Sequence, residues 1–312
     1  MKVFTRKRLV AVSVVAAFVG VFLAIGAVSR SSPAVTAPLP ASASWYWTMA
    51  VSPTNPDTLV VGTSLGLYRS TDGGKSWATT GPTGVEPTSL AQAGNTIYLG
   101  GVPVASGASP VIRTTAGRTA PDGKAVLEAS TDGGATWQEL HPSGLPDVAV
   151  QALAADPTSS KVVYAVLTTG ALYRSSDGAQ SFQLVSTKTE KTPWALAVTS
   201  GGGLVAGDMD TGSYVSTNGK SWQQVAFTNT EGSKMVMEYA VQPTDASRVL
   251  MTAFGVEMSN DGGKSWHVAL NSPVMFGPVA WAASEPSVAY AIGFDGSVWR
   301  SDDNGEHWTK VS

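Results

Sequence analysis

The sequence contains no cysteine, only three histidines and few charged residues. The absence of cysteine excludes disulfide bonds, thiolate nucleophiles, cysteine-ligated zinc and a lipid-modified cysteine. Charged side chains make up 14% of the 312 residues, well below the roughly 25% of an average soluble domain. Because 43% of the residues are hydrophobic and no disulfide is available, a chain of this length has to be held together by a large hydrophobic core.

Basic residues are scarce beyond the N-terminus. Four of them lie at positions 2, 6, 7 and 8, and the chain after residue 28 carries 16 basic and 23 acidic residues. A body with a net charge of −7 and no cluster of lysine and arginine cannot neutralise a row of phosphates. The sequence therefore predicts a protein that does not bind nucleic acid.

The basic N-terminus is followed by an uncharged run of 20 residues, Leu9–Val28. A helix of this length spans about 30 Å, the thickness of a bilayer's hydrocarbon core. Residues 1–28 are therefore predicted to be a membrane anchor with the body outside the cytoplasm. The alternative is a signal peptide cleaved near Ala41–Ala43, which would give a secreted protein. Residues 29–44, rich in Ser, Pro and Ala, are predicted to be a linker.

Six copies of one short motif occupy the rest of the chain, residues 45–312. Each begins with Ser, has Asp or Asn two positions later and ends in Trp or Phe, as in STDGGKSW from Ser70. Successive copies begin 60, 45, 41, 43 and 42 residues apart. The defining residues are Asp72 and Trp77, Asp132 and Trp137, Asp177 and Phe182, Asn218 and Trp222, Asp261 and Trp266, and Asp303 and Trp308.

The motif has the chemistry of a hairpin corner. Glycine adopts positive φ without steric cost, Asp and Ser satisfy nearby backbone N–H groups, and the aromatic residue covers the sheet. Four short alternating strands surround each copy, and nothing in this part of the chain has a sustained helical period. A period near 42 residues with four strands is typical of a propeller blade. The sequence therefore predicts an all-β, six-bladed β-propeller of four-stranded antiparallel blades, with an insertion at about residues 102–124 in the second blade.

The motif resembles the Asp-box, or BNR, repeat of sialidases, sortilin-type receptors and photosystem II assembly factors. The chain is most similar to exported bacterial BNR-repeat proteins that are described as glycosyl hydrolases. A sialidase needs three convergent arginines and an Arg-Ile-Pro motif before the first box. This chain lacks the motif, and Arg69, Arg174 and Arg300 occupy one repeated position, so sialidase activity is not expected. The sequence also predicts no cofactor and no metal site.

In the Asp-box propellers that this chain resembles, the ligand lies around the channel on the face opposite the Asp-boxes. Loops between blades, and loops between the second and third strands of a blade, reach that face. Glu238 is notable because other blades have small residues at its position, and a carboxylate there is costly unless it is paired or solvated. The predicted ligand-binding residues are Trp47, Trp194, Asp208, Asp210, Glu238, Phe276 and Asp295.

Aromatic side chains beside carboxylates are typical of both sugar-binding sites and protein-binding hot spots. The leading hypothesis is a monomeric, non-catalytic propeller outside the cytoplasm that binds a protein or a carbohydrate. One alternative is a glycoside hydrolase with Glu238 and either Asp208 or Asp210 as its acid and base. The other is an assembly factor for a membrane protein complex, held at the membrane by the N-terminal helix.

Overall fold

The computed structural model describes residues 39–40, 43, 45–103, 126–189, 193–208, 210–225 and 234–312. They form six four-stranded antiparallel sheets, which confirms the predicted propeller. The predicted N-terminal helix and most of the predicted insertion lie outside these residues. Within them, no helix has the length and apolar character needed to cross a membrane.

The strands follow one another in chain order. Blade one contains β1 (Tyr46–Val51), β2 (Leu59–Thr63), β3 (Gly66–Ser70) and β4 (Ala78–Thr80). Blade two contains β5 (Val85–Ala93), β6 (Thr96–Pro103), β7 (Val126–Ser130) and β8 (Gln138–Glu139). Blade three contains β9 (Val150–Ala155), β10 (Val163–Leu167), β11 (Leu172–Ser175) and β12 (Gln183–Ser186).

The second half of the ring repeats this order. Blade four contains β13 (Ala195–Val198), β14 (Leu204–Asp208), β15 (Gly212–Ser216) and β16 (Gln223–Val225), with a 3-10 turn at Ser200–Gly202. Blade five contains β17 (Glu238–Gln242), β18 (Asp245–Ala253), β19 (Gly255–Ser259) and β20 (His267–Asn271). Blade six contains β21 (Phe276–Trp281), β22 (Ala289–Gly293), β23 (Val298–Ser301) and β24 (Thr309–Lys310).

Each blade is a simple meander, and its first strand lies innermost. The innermost strands contact one another around the ring, and β1 contacts both β5 and β21. All strands of blade one come from the N-terminal side of the described chain and all strands of blade six from its C-terminal side. The ring therefore closes by packing and side-chain bonds between these two blades, without exchange of a strand.

The Asp-boxes are the corners between the third and fourth strands. In the first box, the Ser70 hydroxyl donates to Asp72 Oδ1 at 2.8 Å and accepts the Gly74 N–H at 2.9 Å. The other carboxylate oxygen of Asp72 accepts the Ser76 hydroxyl at 2.5 Å. The Trp77 indole donates to the Gly74 carbonyl at 3.0 Å. The bond from Ser to the acid or amide recurs at Asp132, Asp177, Asn218, Asp261 and Asp303.

The aromatic residue of each box packs against the preceding blade. Trp77 is 2% exposed and shares a core cluster with Ile292 and Val298 of blade six. Trp137 shares a cluster with Val60 of blade one, and the four remaining aromatic residues lie in the clusters of the later blade pairs. Burial of a Trp removes roughly 150–250 Å² from water. The boxes therefore join neighbouring blades as well as turning the chain.

Candidate binding face

The Asp-boxes and the loops between first and second strands lie on the same face. Gly73 N in the first box donates to Asp57 O in the β1–β2 loop at 2.9 Å, and Gly178 N in the third box donates to Lys161 O at 2.9 Å. In an antiparallel meander, the remaining loops have to reach the other end of the sheet. The opposite face therefore carries the loops between blades and between second and third strands, as predicted.

The acidic residues of the Asp-boxes themselves are used by their own turns. Hydrogen bonds from the Ser181 hydroxyl and backbone lower the pKa of Asp177 to about 2. The hydrogen bond from the His307 backbone N–H has the largest effect on Asp303 and, with further hydrogen bonds, lowers its pKa to about 2. Burial has a smaller, opposing effect. Groups held in this way have a structural function, since their oxygens are already occupied.

A central channel lies between the inner strands of the six blades. Its volume is about 180 Å³, and the side chains that line it are mostly apolar, both small ones such as Ala154 of β9 and Ala197 of β13 and larger ones such as Leu153. Gly94 and Pro157 line it near the Asp-box face, because they follow the inner strands of their blades. Among the described lining residues, Glu238 is the one with a charged side chain.

Glu238 lies at the end of the channel that is remote from the Asp-boxes. It is the first residue of β17 and pairs with Thr252 of β18. The residue is half-buried. Among the lining residues of the channel, this carboxylate is the one that lies farthest along its inner strand from the Asp-box face.

Asp208 does not share this channel. Its Oδ1 accepts the Asp210 N–H at 2.8 Å and the Thr211 N–H at 2.5 Å, and its Oδ2 accepts the Thr211 hydroxyl at 2.5 Å. Asp208 is 8% exposed and lines a separate small cavity with Tyr214 and Trp222. The expectation that it is a ligand-binding residue is therefore corrected: its carboxylate builds the β14–β15 turn. Asp210 is exposed on that turn.

The aromatic candidates divide into buried and accessible groups. Phe276 is fully buried and packs edge-on against Trp299, at 6.2 Å between ring centroids. Its prediction as a ligand-binding residue is corrected, because the ring belongs to the core of blade six. Trp47 is also buried, at 5% exposure, and stacks under Trp45 at 5.2 Å. Trp194, just before β13, is half-buried at the rim.

Asp295 lies on the β22–β23 loop of blade six, next to Phe294. Its carboxylate is exposed and accepts the Ser297 N–H at 3.0 Å and the Ser297 hydroxyl at 2.5 Å. Burial tends to raise the pKa of Asp295, but the hydrogen bonds from Ser297 outweigh it and lower this pKa. The side chain is therefore a fixed negative charge beside an aromatic ring.

The structure brings Trp47 and Asp295 into one neighbourhood, because Phe294 packs edge-on against Trp45 at 5.0 Å. Glu238 belongs to blade five and Trp194 precedes the first strand of blade four. Sequence reasoning missed Leu65, which is 48% exposed at the tip of the β2–β3 hairpin. The sequence feature that could have indicated this exposure is the position of Leu65 directly before Gly66, in a two-residue turn between β2 and β3.

Comparison with known proteins agrees with this fold. A family model described as "Photosynthesis system II assembly factor YCF48" matches residues 119–312, and a BNR/Asp-box repeat model matches residues 68–79. No curated protein matches the chain.

Several solved structures have a similar fold. "YCF48 bound to D1 peptide" has 18% identity and a TM-score of 0.50, covering 90% of this chain and 84% of that one. "YCF48 from Cyanidioschyzon merolae" has 16% identity and a TM-score of 0.49, covering 89% and 88%. A GH74 enzyme from Niastella koreensis has 16% identity and a TM-score of 0.50, covering 84% and 46%. At these identities the structural similarity shows the fold alone. The family model spans well over half of the sequence, and the chain therefore belongs to the family described as photosynthesis system II assembly factor YCF48.

Proposed function

We propose that this propeller is an assembly factor for a membrane protein complex and that it binds an extracytoplasmic segment of a partner protein. The bound segment lies at the channel mouth on the face opposite the Asp-boxes. Two findings from comparison support this proposal: the family to which the chain belongs, and a propeller of similar fold whose structure contains a D1 peptide.

One observation carries the proposal, the combination of Glu238 with the apolar channel behind it. A passage of about 180 Å³ whose lining side chains are mostly apolar has room for one or two aliphatic side chains of a partner. A carboxylate at its rim accepts hydrogen bonds from backbone N–H groups or from a cationic side chain. Trp194, half-buried at the same rim, offers apolar contact area of the kind found in binding hot spots.

The geometry does not favour Asp208 as the second carboxylate of the glycoside hydrolase alternative. That mechanism needs two carboxylates facing each other across one open site. Asp208 is buried, its two oxygens accept three hydrogen bonds from its own turn, and it lines a cavity other than the channel of Glu238. The GH74 neighbour shares the fold, and its similarity extends over 46% of its own chain.

Direct binding of peptides tests the proposal. Fluorescent peptides that cover the extracytoplasmic tails and loops of the source organism's membrane complexes are titrated with the protein and followed by anisotropy. We expect at least one peptide to bind, and Glu238→Lys and Trp194→Ala each to weaken that binding about tenfold or more, the loss typical of a hot-spot residue. Leu184→Ala, on the outer strand β12 and 52% exposed, is the matched control and should leave the affinity unchanged.

Two outcomes would contradict the proposal. One is a peptide whose affinity is unchanged in both Glu238→Lys and Trp194→Ala, because the channel mouth would then not be the binding site. The other is turnover of a chromogenic glycoside that is lost in Glu238→Gln and kept in Leu184→Ala, because Glu238 would then have a catalytic function.

A further inference from the structure

Three apolar side chains form a patch on the rim of blades one and six. Trp45 packs against Phe294 at 5.0 Å, and the Ser64 N–H next to Leu65 donates to the Trp45 carbonyl at 3.0 Å. Trp45 and Phe294 are half-buried and Leu65 is 48% exposed. We call this set, Trp45, Leu65 and Phe294, the rim patch. It lies on the face opposite the Asp-boxes.

The patch is built to present Leu65 to solvent. The Thr63 hydroxyl accepts the Leu65 N–H at 3.0 Å and donates to the Gly66 carbonyl at 3.0 Å, which closes the hairpin behind the side chain. Three large hydrophobic side chains are about half exposed in the part of the chain that the structure describes, and Leu65 is the one on this face. The other two, Leu184 and Val268, lie on the outer strands β12 and β20.

The chain reaches the propeller beside this patch. Leu39 and Ala43 are buried in the core of blades one and six, and the Tyr46 hydroxyl donates to the Pro40 carbonyl at 2.8 Å. The Leu39 carbonyl lies next to Gly296, 3.8 Å from the position that a Cβ would take there. Gly296 follows Phe294 in the β22–β23 loop, so residue 39 is held at the same rim as the patch.

The distance from this point to the apolar run is short. Ten residues separate Val28 from Leu39. A segment of this length spans at most about 35 Å in any conformation. If residues 9–28 cross a membrane as predicted, the rim that holds residue 39 has to stay close to the membrane surface.

The chemistry of the patch fits that location. Tryptophan and other aromatic side chains favour the membrane–water interface, where the ring is apolar and its edge is polar. The exposed carboxylate of Asp295 beside Phe294 opposes deeper insertion, because a charge is costly in hydrocarbon. The combination indicates contact at the depth of the lipid headgroups.

We propose that the rim patch rests on the lipid surface of the membrane that holds the N-terminal helix. The face opposite the Asp-boxes, with the channel mouth and Glu238, is then turned toward the bilayer. The Asp-box face points away from it. This orientation goes beyond the proposed binding of a partner segment: it places the mouth where the extracytoplasmic loops of a membrane protein emerge.

The absence of native cysteine allows a site-specific test in the full chain. Leu65→Cys and the matched control Leu184→Cys are labelled with a nitroxide, and the proteins are reconstituted into vesicles of phosphatidylethanolamine and phosphatidylglycerol. Collision of each label with oxygen, which concentrates in lipid, and with a water-soluble nickel chelate is measured by electron paramagnetic resonance. We expect the ratio of oxygen to nickel collisions to be several-fold higher at position 65 than at position 184. Adding Phe294→Ser to Leu65→Cys should lower it.

Three results would overturn the proposal. Equal ratios at positions 65 and 184 would show that the patch stays in water. Protection of the position 65 label from both reagents would show that protein covers it, whether a second copy or another segment of this chain. Failure of the full chain to float with the vesicles would show that the N-terminal residues do not anchor the protein in the membrane. None of these results alters the peptide titration, which uses no lipid, so the two proposals fail separately.

Discussion

The guanidinium of Arg300 in blade six donates a 2.7 Å hydrogen bond to the carboxylate of Asp57 in blade one. These residues are 243 positions apart, and the Tyr290 hydroxyl also bonds to Asp57, at 3.2 Å. Because the described strands of the first and last blades are not exchanged, such side-chain contacts hold the ring closed. The Ser312 hydroxyl adds another by donating to the Gly74 carbonyl at 3.2 Å.

Removing this contact should weaken the closure. We expect Asp57→Ala to lower the free energy of unfolding by about 1 kcal/mol, a modest value because the Asp57 side chain is half exposed. Arg300 Nε also bonds to Asp302 within its own blade, at 2.7 Å, so Asp302→Ala is the matched control and should cost less. Denaturant unfolding followed by tryptophan fluorescence measures both. Equal losses of unfolding free energy would show that the bond between blades one and six contributes no more to stability than the bond within blade six.

One box contains alanine where others have glycine. Ala179 has φ of 62°, in the left-handed region, and Gly134 in the second box has φ of 81° at the same position of the motif. We expect Ala179→Gly to stabilise the protein by roughly 0.5 kcal/mol, because relief of the backbone strain exceeds the loss of one buried methyl group. Gly134→Ala should destabilise it, since the new Cβ would lie 2.2 Å from Val60 Cγ2. Thermal unfolding of both variants measures the difference, and a loss of stability in Ala179→Gly would contradict the strain argument.

The shortened fourth box leaves its tryptophan without the usual bond. The Trp222 indole N–H has no hydrogen-bond partner among the described residues, whereas the Trp77 indole donates to the Gly74 carbonyl. We expect Trp77→Phe to cost about 1 kcal/mol more than Trp222→Phe, because an unsatisfied buried donor is already unfavourable. Denaturant titration compares the two variants. A larger loss in Trp222→Phe would show that this indole is bonded in solution.

Buried glutamate should make stability depend on pH. Burial raises the pKa of Glu257 to about 7, from an ordinary value near 4.5, and Glu257 Oε1 has no hydrogen-bond partner among the described residues. The folded chain therefore holds this proton to a higher pH than the unfolded chain. The resulting stability is complete below about pH 4.5 and is lost as the pH rises to about 7.

Glu257→Gln should remove this dependence. We expect the variant to match the parent protein near pH 4 and to be more stable by roughly 2 kcal/mol at pH 8, because the amide carries no charge to desolvate. Glu306→Gln on the exposed Asp-box face is the control. Unfolding free energies from pH 4 to 8 measure the effect. Parallel curves for Glu257→Gln and the parent would show that Glu257 is solvated or paired in solution.

The sequence by itself determined the fold, because each Asp-box is a local structure. Ser70, Asp72 and Trp77 bond within one turn, so their spacing specifies a hairpin corner without knowledge of the rest of the chain. Six such corners at nearly equal spacing specify the number of blades and therefore which loops share a face.

Only the tertiary structure decided which residues of that face are available. Phe276 and Leu65 both lie at strand ends in the sequence, but neighbouring strands cover the first and leave the second exposed. Asp208 and Glu238 are carboxylates in adjacent blades. The Asp208 carboxylate accepts hydrogen bonds from its own turn, whereas Glu238 lines the central channel. Exposure and hydrogen-bond partners depend on residues brought together from distant parts of the chain. Repeat spacing contains no information about them.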